Sequence, residues 1–115
     1  MAKDILVKDK KRLSLHTWKV EEGFSTIGRD PGSSFVLDHP SVSRSHGAFF
    51  LRERSGVLTI EDHGSTNGTL VNGVPVKRKI LYAGDVVQIG DFELYVLQGS
   101  AAQGRPGPEL GAGRA

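Results

Sequence analysis

The chain of 115 residues contains no cysteine. A disulfide scaffold, a thiolate zinc site and a cysteine nucleophile are thereby excluded. An excess of one charge sign is also nearly absent. Fifteen basic residues stand against 13 acidic ones, a formal +2, too little to suggest nucleic-acid binding through bulk electrostatics. Long hydrophobic runs are missing. No unbroken one is longer than that of Ala48 to Leu51, far short of the roughly 20 residues that a membrane-spanning helix requires. Ile5-Leu6-Val7 near the start is flanked by charge, so no signal peptide is expected. Neither a Walker-type glycine loop nor G-x-G-x-x-G is present, which leaves nucleotide binding without support. His16, His39 and His63 lack metal-ligand spacing with Asp or Glu, so neither a metal nor a cofactor is expected.

Glycine, by contrast, is abundant: 15 residues, or 13%, against a background of about 7%. Five of them lie in residues 99–115, GSAAQGRPGPELGAGRA, where 12 of 17 residues are Gly, Ala, Pro or Ser. Such a segment cannot bury enough surface to offset its ordering entropy. It reads as a flexible tail or linker, which leaves residues 1–98 as one folded domain.

That domain reads as short strands. Segments of three to eight residues rich in apolar side chains are broken by Gly, Asn, Asp or Pro every eight to twelve residues. Expected strands are 5–7, 13–20, 24–27, 35–37, 48–52, 57–60, 69–71, 80–82, 86–89 and 92–97. Phe92, Leu94 and Val96 alternate with Glu93 and Tyr95, the period of a sheet with one buried face. Arg54-Ser55-Gly56 and Asn72-Gly73 read as hairpin turns, and Pro75 suggests an edge position. The pattern predicts an all-β antiparallel sandwich of about ten or eleven short strands, with Trp18 in its core. Sandwiches offer function mainly at their loop ends.

Three loop segments stand out. A strand ends in Gly28-Arg29. Ser43-Arg44-Ser45-His46 follows about fourteen residues later. Then comes Gly64-Ser65-Thr66-Asn67-Gly68-Thr69, with Asn72-Gly73 after it. Each alone is unremarkable, since Gly-Arg arises by chance and the third segment could be a long hairpin turn. In this order and spacing, with Gly84-Asp85 and Ile89-Gly90 beyond, the sequence resembles the forkhead-associated (FHA) domain family from about Ile5 to Leu97. The resemblance implies an eleven-stranded sandwich whose loops bind phosphothreonine in a partner protein.

Residue chemistry points the same way. A phosphothreonine carries about −1.5 to −2 charges at neutral pH and three strong acceptor oxygens. Arg29 offers a planar fork for them, Ser43 a hydroxyl and Arg44 a second cation. N–H groups of the Ser43–Ser45 turn could add donors. Asn67 carries both a donor and an acceptor for an extended peptide, and Thr66 a hydroxyl. By resemblance, Arg29, Ser43 and Arg44 contact the phosphate, while Thr66 and Asn67 hold the peptide main chain. The family implies that Gly28, His46, Gly64 and Gly68 shape the loops, His46 through hydrogen bonds of its ring. Asp62 is expected to accept loop N–H bonds.

The expected function is therefore a non-catalytic, phosphothreonine-dependent protein-binding module in Ser/Thr-kinase signalling. It is expected to be cytoplasmic and monomeric. Its partner would be a phosphothreonine protein, a kinase or a kinase substrate, with no nucleic acid and no membrane. The five threonines, 17, 26, 59, 66 and 69, all lie in the domain, so the ligand is expected from another chain or from a part of a longer protein. Two alternatives stand beside this reading. One is a phosphate-independent module docking through a sheet face; the other is a small hydrolase using Ser43 and His46. Ser41, two places before Ser43, is not basic, so the resemblance implies no preference for an acidic peptide position there. Lys77-Arg78-Lys79 and the run from Lys8 to Arg12 read as solvated strand ends, or as lures for an acidic partner.

Overall fold

A computed structural model describes residues 2–11 and 15–97. The tail expected over 99–115 and the first residues of the run expected from Leu13 lie outside the described residues. The strands are β1 (Lys3–Asp9), β2 (Leu15–Val20), β3 (Gly23–Gly28), β4 (Phe35–Val36), β5 (Gly47–Leu51), β6 (Leu58–Asp62), β7 (Thr69–Val71), β8 (Val74–Val76), β9 (Arg78–Leu81), β10 (Val86–Ile89) and β11 (Phe92–Val96). They form a six-stranded sheet, β2-β1-β11-β10-β7-β8, and a five-stranded sheet, β4-β3-β5-β6-β9. Among the described residues no helix is long and apolar enough to cross a membrane.

The alternation seen in the sequence fixes which faces meet. Ile5 and Val7 of β1 point inward, opposite Val96 and Leu94 of β11. From the other sheet Phe49, Leu51, Leu58 and Ile60 face them across the same core. Trp18 of β2 stacks on Phe35 of β4 with ring centroids 4.5 Å apart, which joins the two sheets. Burying side chains of this size contributes about 1.5–3 kcal/mol each.

Three details go beyond the sequence pattern. Val74–Val76 forms a strand of its own, paired with β7 at Val71↔Val74 through an Asn72-Gly73 turn with φ of 51° and 84°. Both angles are positive, as a type I′ turn demands. β8 is an edge strand, so the N–H that Pro75 lacks costs no ladder bond. The pairing is antiparallel except between β3 and β4, which run parallel. Ser34 N–H donates to Thr26 Oγ1 at 2.8 Å on one side of this pair, and Leu37 N–H donates to Gly28 O at 2.9 Å on the other. Finally, Phe24, Phe50, Thr59 and Ile80 form a row across β3, β5, β6 and β9 on the outer face. Phe24 is 65% exposed and its ring lies 4.5 Å from that of Phe50.

Registers place the loops. Ile27 lies opposite Gly47, and Gly47 opposite Asp62. Thr69 lies opposite Ile89. The loops 29–34, 37–46 and 63–68, and the turn at Gly90-Asp91, therefore emerge at one end of the sandwich.

Candidate functional site

His46 is the post around which these loops are fastened. It is fully buried. Its Nδ1 accepts from Ser43 N–H at 3.2 Å, and its Nε2 lies 3.0 Å from the Gly68 carbonyl. Nδ1 must carry a lone pair and Nε2 the proton, so the ring is the neutral Nε2–H tautomer. The His46 main chain donates to Ile27 O at 3.0 Å and accepts from His63 N–H at 2.9 Å. One residue thus ties the end of β3, its own turn, the end of β6 and the 63–68 loop.

Beneath that loop lies Asp62, its side chain 2% exposed. Its Oδ2 accepts from Gly64 N–H and Ser65 N–H, each at 3.1 Å. Its Oδ1 accepts from the Ser65 hydroxyl and, at 2.8 Å, from Thr69 Oγ1. Ser65 Oγ in turn accepts from Gly68 N–H at 3.0 Å. Gly64 and Gly68 have φ of 73° and 82°, the left-handed region that a side chain disfavours. The expected loop-shaping role of both glycines rests on this geometry.

The electrostatics agree with these bonds. Burial lowers the His46 pKa from its ordinary 6.5, against the opposing pull of the Gly68 carbonyl and the Asp62 carboxylate. Burial alone would raise that of Asp62, but the bonds from Ser65 and Thr69, with His46 nearby, outweigh it and hold the carboxyl below its ordinary 3.8. In the unfolded chain the imidazole takes up a proton below about 6.5; in the fold it resists. The unfolded state then binds more protons, so stability is lost as pH falls below that value. Asp62 acts with the same sign lower down. Calorimetry should find Tm level near neutrality and falling between about pH 7 and pH 5. A Tm unchanged across that window would contradict a locked neutral ring.

The exposed side chains stand on this frame. Gly28 lies against the 43–46 turn so closely that a Cβ there would sit 2.0 Å from the Arg44 carbonyl oxygen. Only glycine permits that approach. Arg29 N–H then donates to Ser43 O at 3.0 Å, and Asp30 N–H to Arg44 O at 3.2 Å. Arg29 Nε donates to Val42 O at 3.1 Å, which aims the side chain and leaves its terminal nitrogens without a partner among the described residues. The Arg44 guanidinium is exposed and has no hydrogen bond or ion pair among the described residues. Ser43 Oγ accepts from Thr66 N–H at 2.8 Å and keeps its own proton to donate. Asn67 Nδ2 donates to Ser41 O at 3.0 Å, leaving Oδ1 and one amide hydrogen for a ligand.

Arg29, Ser43, Arg44, Thr66 and Asn67 are thus brought to one end of the molecule. Two expectations change. The N–H of Ser43 is spent on His46, so only those of Arg44 and Ser45 remain in that turn. The His46 ring meets the Ser43 main chain and not its hydroxyl, which removes the base from the hydrolase arrangement. Sequence reasoning also misses the support of Ser41. Its Oγ lies 2.8 Å from His39 Nδ1 and accepts from Asp91 N–H at 3.0 Å. Ser41 and Asp91 are 50 residues apart, and nothing in the local sequence links them.

An FHA domain family model matches residues 25–90, more than half of the chain. The oxoglutarate dehydrogenase inhibitor of Corynebacterium efficiens is 42% identical over 83 residues, 72% of this chain and 57% of that protein. The glycogen accumulation regulator GarA of Mycolicibacterium smegmatis is 42% identical over 80 residues, 70% of this chain and 49% of that protein. The chain thus spans about half the length of these relatives. Among solved structures, one from a study of phosphothreonine-dependent FHA domain interactions has a TM-score of 0.76 at 33% identity, covering 88% of this chain and 100% of that one. The FhaA FHA domain, complexed with the intracellular domain of Rv3910, has a TM-score of 0.69 at 35% identity, covering 81% and 98%. Family model, relatives and fold converge on one assignment, and the chain belongs to the FHA domain family.

Proposed function

We propose that residues 1–98 form a non-catalytic module that binds a protein phosphorylated on threonine by a Ser/Thr kinase, in the cytoplasm. The observation that carries this reading is the pair Arg29 and Arg44 beside the Ser43 hydroxyl, neither guanidinium having an acidic partner among the described residues. Unpaired cations with hydroxyl and N–H donors suit one phosphate group and offer no base or nucleophile. In this reading Arg29, Ser43 and Arg44 hold the phosphate, and Thr66 and Asn67 hold the peptide main chain. Relatives described as an inhibitor and a regulator are in keeping with action by binding.

The test is a titration with matched phosphothreonine, phosphoserine and unmodified peptides. A methyl contact is worth about 1–3 kcal/mol, so phosphoserine should bind about 10-fold or more weakly than phosphothreonine. The unmodified peptide should bind weakest, and equal affinity for it would overturn the proposal. The exposed Phe24, set against the half-buried Phe50, favours a second reading, phosphate-independent docking on a sheet face. Binding of that kind would survive Arg29→Ala.

A further inference from the structure

The basic run Lys77-Arg78-Lys79 is not absorbed by the phosphate site. Its members differ once folded. Arg78 is engaged, its Nε 3.6 Å from Glu61 Oε2. Lys77 and Lys79 are exposed and have no ion pair among the described residues. The main chain at Lys77 is fixed, because its carbonyl accepts from Asp62 N–H at 2.8 Å.

Lys77 borders an open cavity of about 290 Å³ whose other walls include Thr66, Asn67, Pro75 and Val76. Thr66 stands between this cavity and the phosphate site, since its N–H is the donor to Ser43 Oγ. Pro75 and Val76 give an apolar wall suited to a short methylene stem, and Lys77 supplies a strongly hydrated point charge. Asp62 also reaches the cavity, but both its oxygens are already occupied by donors from Gly64, Ser65 and Thr69.

We infer that this cavity takes an acidic side chain of the phosphopeptide, held by Lys77. The module would then select phosphothreonine sites with a glutamate or aspartate nearby. The inference rests on the phosphopeptide reading above.

The experiment is a calorimetric titration of the whole chain with phosphothreonine peptides of neutral flanks. A single glutamate, glutamine or lysine is walked through about four positions on either side. At one position glutamate should bind about three- to fivefold tighter than glutamine at low salt, and less so at high salt. That ratio should collapse to near one in Lys77→Ala and invert towards lysine over glutamate in Lys77→Glu. Lys77 is exposed, so both variants should keep the parent Tm. Phosphate-dependent binding with no glutamate preference at any position would overturn this inference alone, as would a preference that persists in Lys77→Ala. Equal binding of unmodified peptides would instead overturn the phosphopeptide reading, and this inference with it.

Discussion

Arg29→Ala should weaken phosphothreonine-peptide binding about 100-fold while the chain remains folded. Truncating one partner of a desolvated, hydrogen-bonded charge pair costs about 2–5 kcal/mol, and about 2.7 kcal/mol is a factor of 100. Arg29 is exposed, and among the described residues its side chain makes a single hydrogen bond, from Nε to the Val42 carbonyl. Such a bond contributes about 0.5–1.5 kcal/mol, more when the donor is charged. Tm should therefore fall by only several degrees. Arg29→Lys separates charge from shape. It keeps the cation but loses the fork, and should recover only part of the affinity. Titration of both variants alongside circular dichroism checks this. Unchanged affinity in Arg29→Ala, with phosphate dependence intact, would remove Arg29 from the site.

His46→Ala should destabilise the domain by about 3–5 kcal/mol, which for a domain of this size is a fall in Tm of roughly 12 °C or more. The ring is fully buried and serves two main-chain groups, Ser43 N–H and Gly68 O. Each group left unpaired in the interior costs about 1–3 kcal/mol, and the vacated volume adds a cavity cost. Binding should suffer too, because the released groups belong to the loops that carry Ser43 and Thr66. His46→Asn tests the geometry. Its amide oxygen can accept from Ser43 N–H, but its short side chain cannot also reach Gly68. A Tm midway between parent and alanine variant is expected from thermal melts. An alanine variant as stable as the parent would show that the ring is no post.

Much of the fold can be read directly from residue order. The Phe92, Leu94, Val96 alternation names both the strand and its buried face, because a two-residue period is local. Asn72-Gly73 names its own turn, because positive φ at two successive positions selects those residues. Val74–Val76 is legible only through its turn and the edge position that Pro75 suggests, because three residues containing a proline carry too little pattern to mark a strand by themselves. The parallel β3–β4 pair is held by contacts between separate segments, Ser34 N–H to Thr26 Oγ1 and Leu37 N–H to Gly28 O among them, that no periodicity encodes.

For the site the division is similar. The residue types suited to a phosphate, and the spacing that ties them to the FHA domain family, are properties of the chain alone. Whether Arg29 and Arg44 are free, which His46 nitrogen carries the proton, and how Asp91 supports Ser41 were decided by the tertiary structure. So was the difference between Arg78, paired with Glu61, and Lys77, which faces the cavity beside Thr66. The physical reason is distance. Hydrophobic period and turn chemistry act between near neighbours in sequence, whereas hydrogen bonds and ion pairs depend on which residues the folded sheets bring within about 3–4 Å of each other.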